Sequence, residues 1–338
     1  MQLIRQPIRL PIYCQNLGLA TSRDPVFQVN NKGLLPGWVV LVVLMLCNPQ
    51  AMATETGADG GEAETGSLVI ERIERERAVQ DNRSVLLAHK RNYLLPLTYA
   101  WQPNDDVFEA GSADFGAKLD NLEFQFQLSI KATVAEALFT DGDALLVAFT
   151  VKSFWQAYNR EISAPFRETN YEPEIFWITP VPWEILGGDA TLFALGLSHQ
   201  SNGRSLPFSR SWNRIYGSVI WERRRFVFNF KTWWRIPEDE KDDPLDPEGD
   251  DNPDIEDFLG NFEFNVAYRK YDQEVSVMLR NNLDRDSNRG AIQIDWTFPL
   301  QRRFRGYVQY FNGYGESLID YNADIERFGI GILLSDLL

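Results

Sequence analysis

From residue 93 onward, apolar and polar side chains alternate along the chain. Between residues 122 and 130, Leu122, Phe124, Phe126, Leu128 and Ile130 share one side of an extended backbone, and Glu123, Gln125, Gln127 and Ser129 share the other. The pattern returns three times. Phe226, Phe228 and Phe230 stand against Val227, Asn229 and Lys231; Phe262, Phe264, Val266 and Tyr268 against Glu263, Asn265, Ala267 and Arg269; and Ile292, Ile294, Trp296 and Phe298 against Ala291, Gln293, Asp295 and Thr297. Successive residues of a strand point to opposite faces, so each segment predicts a strand with one face fit for lipid and one for a polar interior. Segments about ten residues long, with aromatics near their ends, predict an all-β fold: an antiparallel transmembrane β-barrel over residues 92–338. A soluble β-sandwich also alternates, but the amides and charges repeated on one face here argue against it. Long acidic loops such as residues 238–251 alternate with short turns.

The N-terminal residues break this pattern. Arg5, Arg9, Arg23 and Lys32 precede an apolar run over residues 34–46, and Ala51-Met52-Ala53 follows it, so residues 1–53 read as an export signal segment. A membrane anchor is the weaker reading, because the run is shorter than the roughly 20 residues that span a bilayer. Cys14 and Cys47 both lie in this segment, so the exported chain is expected to carry neither disulfide nor thiol chemistry. Residues 54–91 form a polar N-terminal extension. Its first part, to residue 66, is rich in Gly, Glu and Thr and is expected to be flexible; residues 68–79 (LVIERIERERAV) have helix-like spacing and dense Glu/Arg pairs, predicting a short solvated helix.

Composition bounds the rest. A content of 44% hydrophobic and 13% aromatic residues over 338 positions is that of an ordered chain. The net charge of −15 argues against a nucleic-acid partner.

The chain holds only two histidines, and one stands in an unusual setting. In the stretch LGLSHQSNGRSLPFSRSWN, residues 195–213, Leu195 and Leu197 set an apolar parity that His199 and Ser201 continue. Residues two apart on a strand point the same way, so a slight bend brings an imidazole beside a hydroxyl, a general base beside a nucleophile. Gly203 frees the backbone to turn and leaves an amide open for an oxyanion. Alternation resumes at Asn213, Ile215, Gly217, Val219 and Trp221. A hairpin would return Asn213 to the side of His199, where its carbonyl oxygen would accept the Nδ1–H and fix the tautomer. On spacing alone, a surface hairpin with local hydrogen bonds fits the same residues.

His199-Gln200-Ser201-Asn202-Gly203-Arg204-Ser205 and Ser209-Arg210-Ser211-Trp212-Asn213-Arg214 resemble the active-site region of bacterial outer-membrane phospholipase A. Three further stretches are similar to that family in the same order: Ser163-Ala164-Pro165-Phe166-Arg167-Glu168-Thr169-Asn170-Tyr171-Glu172-Pro173, then Asp251-Asn252-Pro253-Asp254-Ile255, then Gly313-Tyr314-Gly315-Glu316-Ser317-Leu318-Ile319-Asp320-Tyr321-Asn322. The resemblance runs from about residue 93 to the C-terminus. It implies a barrel of about twelve strands and a calcium-dependent phospholipase of A1/A2 and lysophospholipase type in the bacterial outer membrane, its site on the outer-leaflet side.

By the same resemblance Ser201 is the nucleophile, His199 the general base and then acid, Asn213 the orienting member and Gly203 an oxyanion donor. Calcium (Ca2+) is implied on the Arg204 carbonyl and the Ser209 hydroxyl of one subunit and the Ser163 carbonyl of another, with Asp251 at a second calcium site. A ligand set split in this way ties activity to a homodimer. The family couples that dimer through a polar side chain where this chain has Val151, so packing by Phe154 and Trp155 is expected to carry the contact instead. A second departure is the C-terminal Leu338, where such barrels commonly place an aromatic. The rival reading is a non-enzymatic outer-membrane barrel, porin-like or structural, in which the histidine and serine are incidental.

Overall fold

The alternation closes into a ring. The computed structural model describes residues 67–80, 86–109, 118–161, 165–243, 246–301 and 304–335; the expected export segment, the polar stretch to residue 66, Ser163 and the C-terminal Leu338 lie outside them. In chain order the elements are helix α1 (Leu68–Gln80), β1 (Leu87–Ala88), β2 (Asn92–Ala100), α2 (Asp106–Glu109), β3 (Leu122–Glu136), β4 (Ala144–Trp155), β5 (Phe166–Pro180), β6 (Glu184–Ile185), β7 (Gly188–Ser201), β8 (Ser211–Arg223), β9 (Phe226–Arg235), α3 (Ile255–Leu259), β10 (Phe262–Lys270), β11 (Gln273–Asn281), β12 (Gly290–Gln301), β13 (Phe304–Gly313) and β14 (Ile325–Ser335). Twelve long strands pair antiparallel with their neighbours, and β14 pairs β2 to close the sheet; β1 and β6 add two-residue extensions at β3 and β7. Closure leaves no open sheet edge, which is what a bilayer demands of a β-protein.

The two faces divide as the sequence pattern requires. On β3, Glu123, Gln125 and Ser129 are buried toward the lumen, whereas Leu128 and Ile130 face outward. Aromatics gather at both ends of the outer wall, with Tyr99, Trp101 and Trp234 beside the long loops and Phe139, Trp183 and Tyr271 beside the short turns. Such girdles mark membrane interfaces. β4 corrects one sequence expectation. Trp155 stacks outward on Phe166, at 5.3 Å between ring centroids. Its neighbour Phe154 is fully buried in the lumen, beneath Lys152, Arg167 and Arg327. Strand parity sends adjacent residues to opposite faces, so Phe154 is unavailable to an outer-wall contact.

The lumen is lined by ion pairs and amides. Arg167 Nε lies 2.7 Å from Glu123 and its Nη1 binds Asp320; Arg327 reaches Glu123 and Glu316, each at 2.8 Å; Arg91 binds Glu274 and, at 2.7 Å, Asp295. At the long-loop end, α3 packs Ile255 and Leu259 on Trp212, Trp233, Leu318 and Tyr321, covering the mouth.

Helix α1 sits at the opposite, short-turn end. Ser67 Oγ caps it by accepting the Ile70 N–H at 3.1 Å, and Arg72 pairs with Glu76 one turn on. The solvated reading holds for Ile70, Glu71, Glu74 and Arg75. Val69, however, is buried against Leu192 and Val227 of the lumen wall, and its N–H donates to Glu222 at 2.5 Å. Burial would raise the Glu76 carboxyl, but Lys131 at 2.8 Å and Arg72 together hold it below the usual glutamate range. The sequence hid this seat because polar residues of a helix inside a polar lumen look the same as those facing water.

Candidate active site

β7 and β8 form the hairpin that carries the site. Their register sets His199 directly opposite Asn213 and Ser201 opposite Ser211. Leu195 and Leu197, on the same side of β7 as His199, are 49% and 48% exposed, so this side is the outer wall of the barrel. His199 Nδ1 is 2.8 Å from Asn213 Oδ1. Ser201 follows on the same face at the end of β7, and among the described residues its hydroxyl has no hydrogen-bond partner. Across the other edge of β7, Tyr171 of β5 lies opposite Ser201 and brings the apolar wall to the hydroxyl.

The loop over residues 202–210 is held by a buried side chain that the spacing argument passed over. Asn202 Oδ1 accepts from the Arg204 and Arg210 amides at 3.3 and 3.0 Å, and its Nδ2 donates to the Phe208 carbonyl at 2.8 Å. Between them Gly203 takes φ +64°, the left-handed region that favours glycine. A Cβ there would come within 3.4 Å of the Tyr171 ring. The Arg204 guanidinium points back into the barrel, 3.2 Å from Glu168, which leaves its main chain to serve the loop. Phe208 stacks on Phe108 of α2, tying this loop to the one after β2.

Two of the expected calcium ligands meet. Ser209 Oγ donates to Asp251 Oδ2 at 2.5 Å, although forty-two positions separate them in the chain. Both are oxygen donors, which suits a hard cation. The other Asp251 oxygen faces Lys241 Nζ at 2.6 Å, a positive charge already beside that carboxylate. Among the described residues no three His, Cys, Asp or Glu side chains form a metal cluster; a cation at Ser209 would therefore draw on hydroxyl and main-chain oxygens as well.

Glu238 is the site residue that sequence reasoning missed. Three positions past the end of β9, it accepts a hydrogen bond from Asn213 Nδ2 at 3.0 Å. Its sequence position marked it only as the start of an acidic loop. The available sign was topological: β9 is the partner of β8, so the residues just beyond β9 must pass Asn213.

A closed twelve-stranded antiparallel barrel with a polar, cross-linked lumen and an apolar outer wall, on which His199 pairs with Asn213, is a membrane barrel of outer-membrane type. Residues 69–334 match the phospholipase A1 family. The chain is 32% identical to phospholipase A1 of Klebsiella pneumoniae over 286 residues, covering 85% of this chain and 93% of that protein. It is 31% identical to phospholipase A1 of Escherichia coli K12 over 304 residues, covering 90% and 99%. Among solved structures it superposes on outer membrane phospholipase A from Escherichia coli with a TM-score of 0.69 at 32% identity, covering 76% of this chain and 95% of that one. The calcium-bound dimer of the Salmonella typhi outer membrane phospholipase gives the same TM-score at 31% identity, covering 76% and 94%. The chain belongs to the phospholipase A1 family, a family of carboxylic ester hydrolases.

Proposed function

We propose that this chain is a calcium-dependent outer-membrane phospholipase that hydrolyses phospholipid acyl esters, of A1/A2 and lysophospholipase type, through Ser201, His199 and Asn213. The observation that carries the reading is the His199–Asn213 pair at 2.8 Å on the outer wall. An ionisable side chain facing lipid is costly and marks chemistry more often than folding. A substrate reaching this wall arrives sideways from the bilayer, with its acyl chain along Leu195, Leu197 and Tyr171, on the outer-leaflet side.

In this mechanism Ser201 Oγ attacks the ester carbonyl while its proton passes to His199 Nε2. The bond from the carbonyl carbon to the glycerol oxygen breaks, that oxygen takes the proton, and the acyl group remains on Ser201. Water then attacks the acyl carbon, giving a proton to Nε2; the acyl-serine bond breaks, and that proton returns to Ser201 Oγ as the fatty acid leaves. Asn213 Oδ1 accepts the Nδ1–H throughout and keeps the ring in the tautomer whose Nε2 is free. The Gly203 N–H, with no partner among the described residues, donates to the oxyanion. The Ser209 hydroxyl and Arg204 carbonyl, with the Ser163 carbonyl of a second subunit, would hold Ca2+, and Asp251 a second ion. When bound, the cation supplies positive charge where the oxyanion develops.

The activity-linked homodimer follows from that shared ligand set. The apolar wall of Leu128, Ile130, Phe149 and Val151 suits it, with Val151 contributing packing and no hydrogen bond. A hydrolysis assay on the refolded chain tests the reading: fatty acid release from phospholipid is expected to need calcium and to stop on chelation. Ion conductance with no calcium-stimulated hydrolysis would favour the porin-like alternative.

A further inference from the structure

We propose that Glu238 is a positioning residue for the hydrolytic reaction, fixing the orientation of the Asn213 amide and, through it, the tautomer of His199. The proposal rests on the reading of His199, Ser201 and Asn213 above and asks what makes a neutral third member dependable.

An asparagine side chain has two unlike ends of nearly equal shape, and a half-turn about its last bond exchanges them. Only one orientation serves His199. With Oδ1 toward the ring, the amide accepts the Nδ1–H and leaves Nε2 unprotonated. With the NH2 group toward the ring, the amide donates to Nδ1, and the proton moves to Nε2, which can then no longer act as a base. An aspartate has no such ambiguity, since both of its oxygens accept. A lone asparagine in this place must be oriented by something else.

Glu238 supplies that orientation. A carboxylate has no hydrogen to give, so the amide end facing it must be the nitrogen. Asn213 Nδ2 donates to Glu238 Oε1 at 3.0 Å while Oδ1 stands 2.8 Å from His199 Nδ1. Turning the amide over would set its oxygen against a carboxylate oxygen, losing the hydrogen bond to Glu238, and would keep a hydrogen bond to the ring only in the tautomer protonated at Nε2. The backbone holds Glu238 to this task. The Ile236 N–H donates to the Asn213 carbonyl at 2.8 Å, and Pro237 stiffens the next step of the chain. Among the described residues Asn213 is the one hydrogen-bond partner of the Glu238 carboxylate, which is partly buried. Glu238 exchanges no proton: in each turnover the proton travels between Ser201 Oγ, His199 Nε2 and the leaving oxygen.

The test compares Glu238→Ala, Glu238→Gln, Asn213→Ala and the Glu238→Ala/Asn213→Ala double variant in the full chain, refolded in detergent. Because the chain has two histidines, selective 15N-histidine labelling gives two sets of ring nitrogen signals, and these distinguish the tautomers directly. Glu238→Ala is expected to lower kcat on a phospholipid by roughly tenfold, the scale of one lost charge-assisted hydrogen bond, with KM unchanged. It should also turn the single His199 tautomer into a mixture. Glu238→Gln keeps an oxygen that can accept from Nδ2 and should recover most of the loss. In the Asn213→Ala background, Glu238→Ala should cost nothing further, because the two residues act as one. An unchanged tautomer in Glu238→Ala, a loss in KM alone, or additive losses in the double variant would overturn the proposal. If the native chain hydrolyses no phospholipid, the catalytic reading fails, while the tautomer measurement still decides whether Glu238 orients Asn213.

Discussion

The outer wall and the lumen of this barrel are built from the same strands, one residue apart, yet polar groups mean opposite things on them. In the lumen Arg167, Arg327, Glu123, Glu316 and Asp320 are buried and answered by one another, so each charge is spent on holding strands and loops together. On the outer wall His199 follows Leu195 and Leu197 along β7, Tyr171 lies opposite Ser201, and the polar partner of His199 is Asn213, which in turn donates to Glu238. A polar group in the first setting is explained by its partners. In the second it is costly to the membrane fold, which is what makes it a candidate for chemistry.

Three substitutions would break or sharpen this contrast. The largest effect is expected from Ser201→Ala, which removes the proposed nucleophile from the outer wall and touches no lumen pair. Hydrolysis should fall on the order of 10^4-fold or more, while barrel assembly, followed by circular dichroism and heat-dependent gel migration, stays unchanged. Retained turnover would sink the assignment of the serine. Arg167→Met attacks the other side of the wall. It leaves Asp320 without its cation and Glu123 with Arg327 alone, and a loss of about 3–5 kcal/mol in urea unfolding is expected. A neutral outcome would mean that the lumen network is not what secures the fold. The smallest effect should come from Leu195→Arg, a charge placed where the wall meets lipid, at roughly 2–4 kcal/mol of stability in a bilayer. In detergent, where the head group can reach water more easily, that cost should shrink; equal costs in both media would place Leu195 away from the membrane.

Legibility in the sequence followed periodicity. Because Leu122, Phe124 and Phe126 and the later repeats kept a period of two, the barrel and the assignment of each residue to a face could be read directly. The same parity put His199 on the outer wall and, with the hairpin, Asn213 beside it. Residue type without parity misleads at Phe154: it is aromatic like Trp155, but the strand turns it inward. The polar helix α1 and the acidic residue Glu238 were undecidable for a related reason. A charged side chain looks the same in sequence whether it meets solvent, a lumen wall or the back of an asparagine.

Local chemistry of the chain, then, determined the strand period, the two-faced wall, the reach of the long loops and the short list of groups able to do acid–base work, because each depends on residues close together in sequence. Tertiary closure alone decided that Ser209 meets Asp251, that α1 enters the short-turn end of the lumen and that the segment after β9 brings Glu238 to the back of Asn213. Those contacts join segments far apart in the chain. No local pattern encodes them, since what brings them together is the order in which the strands pair around the ring.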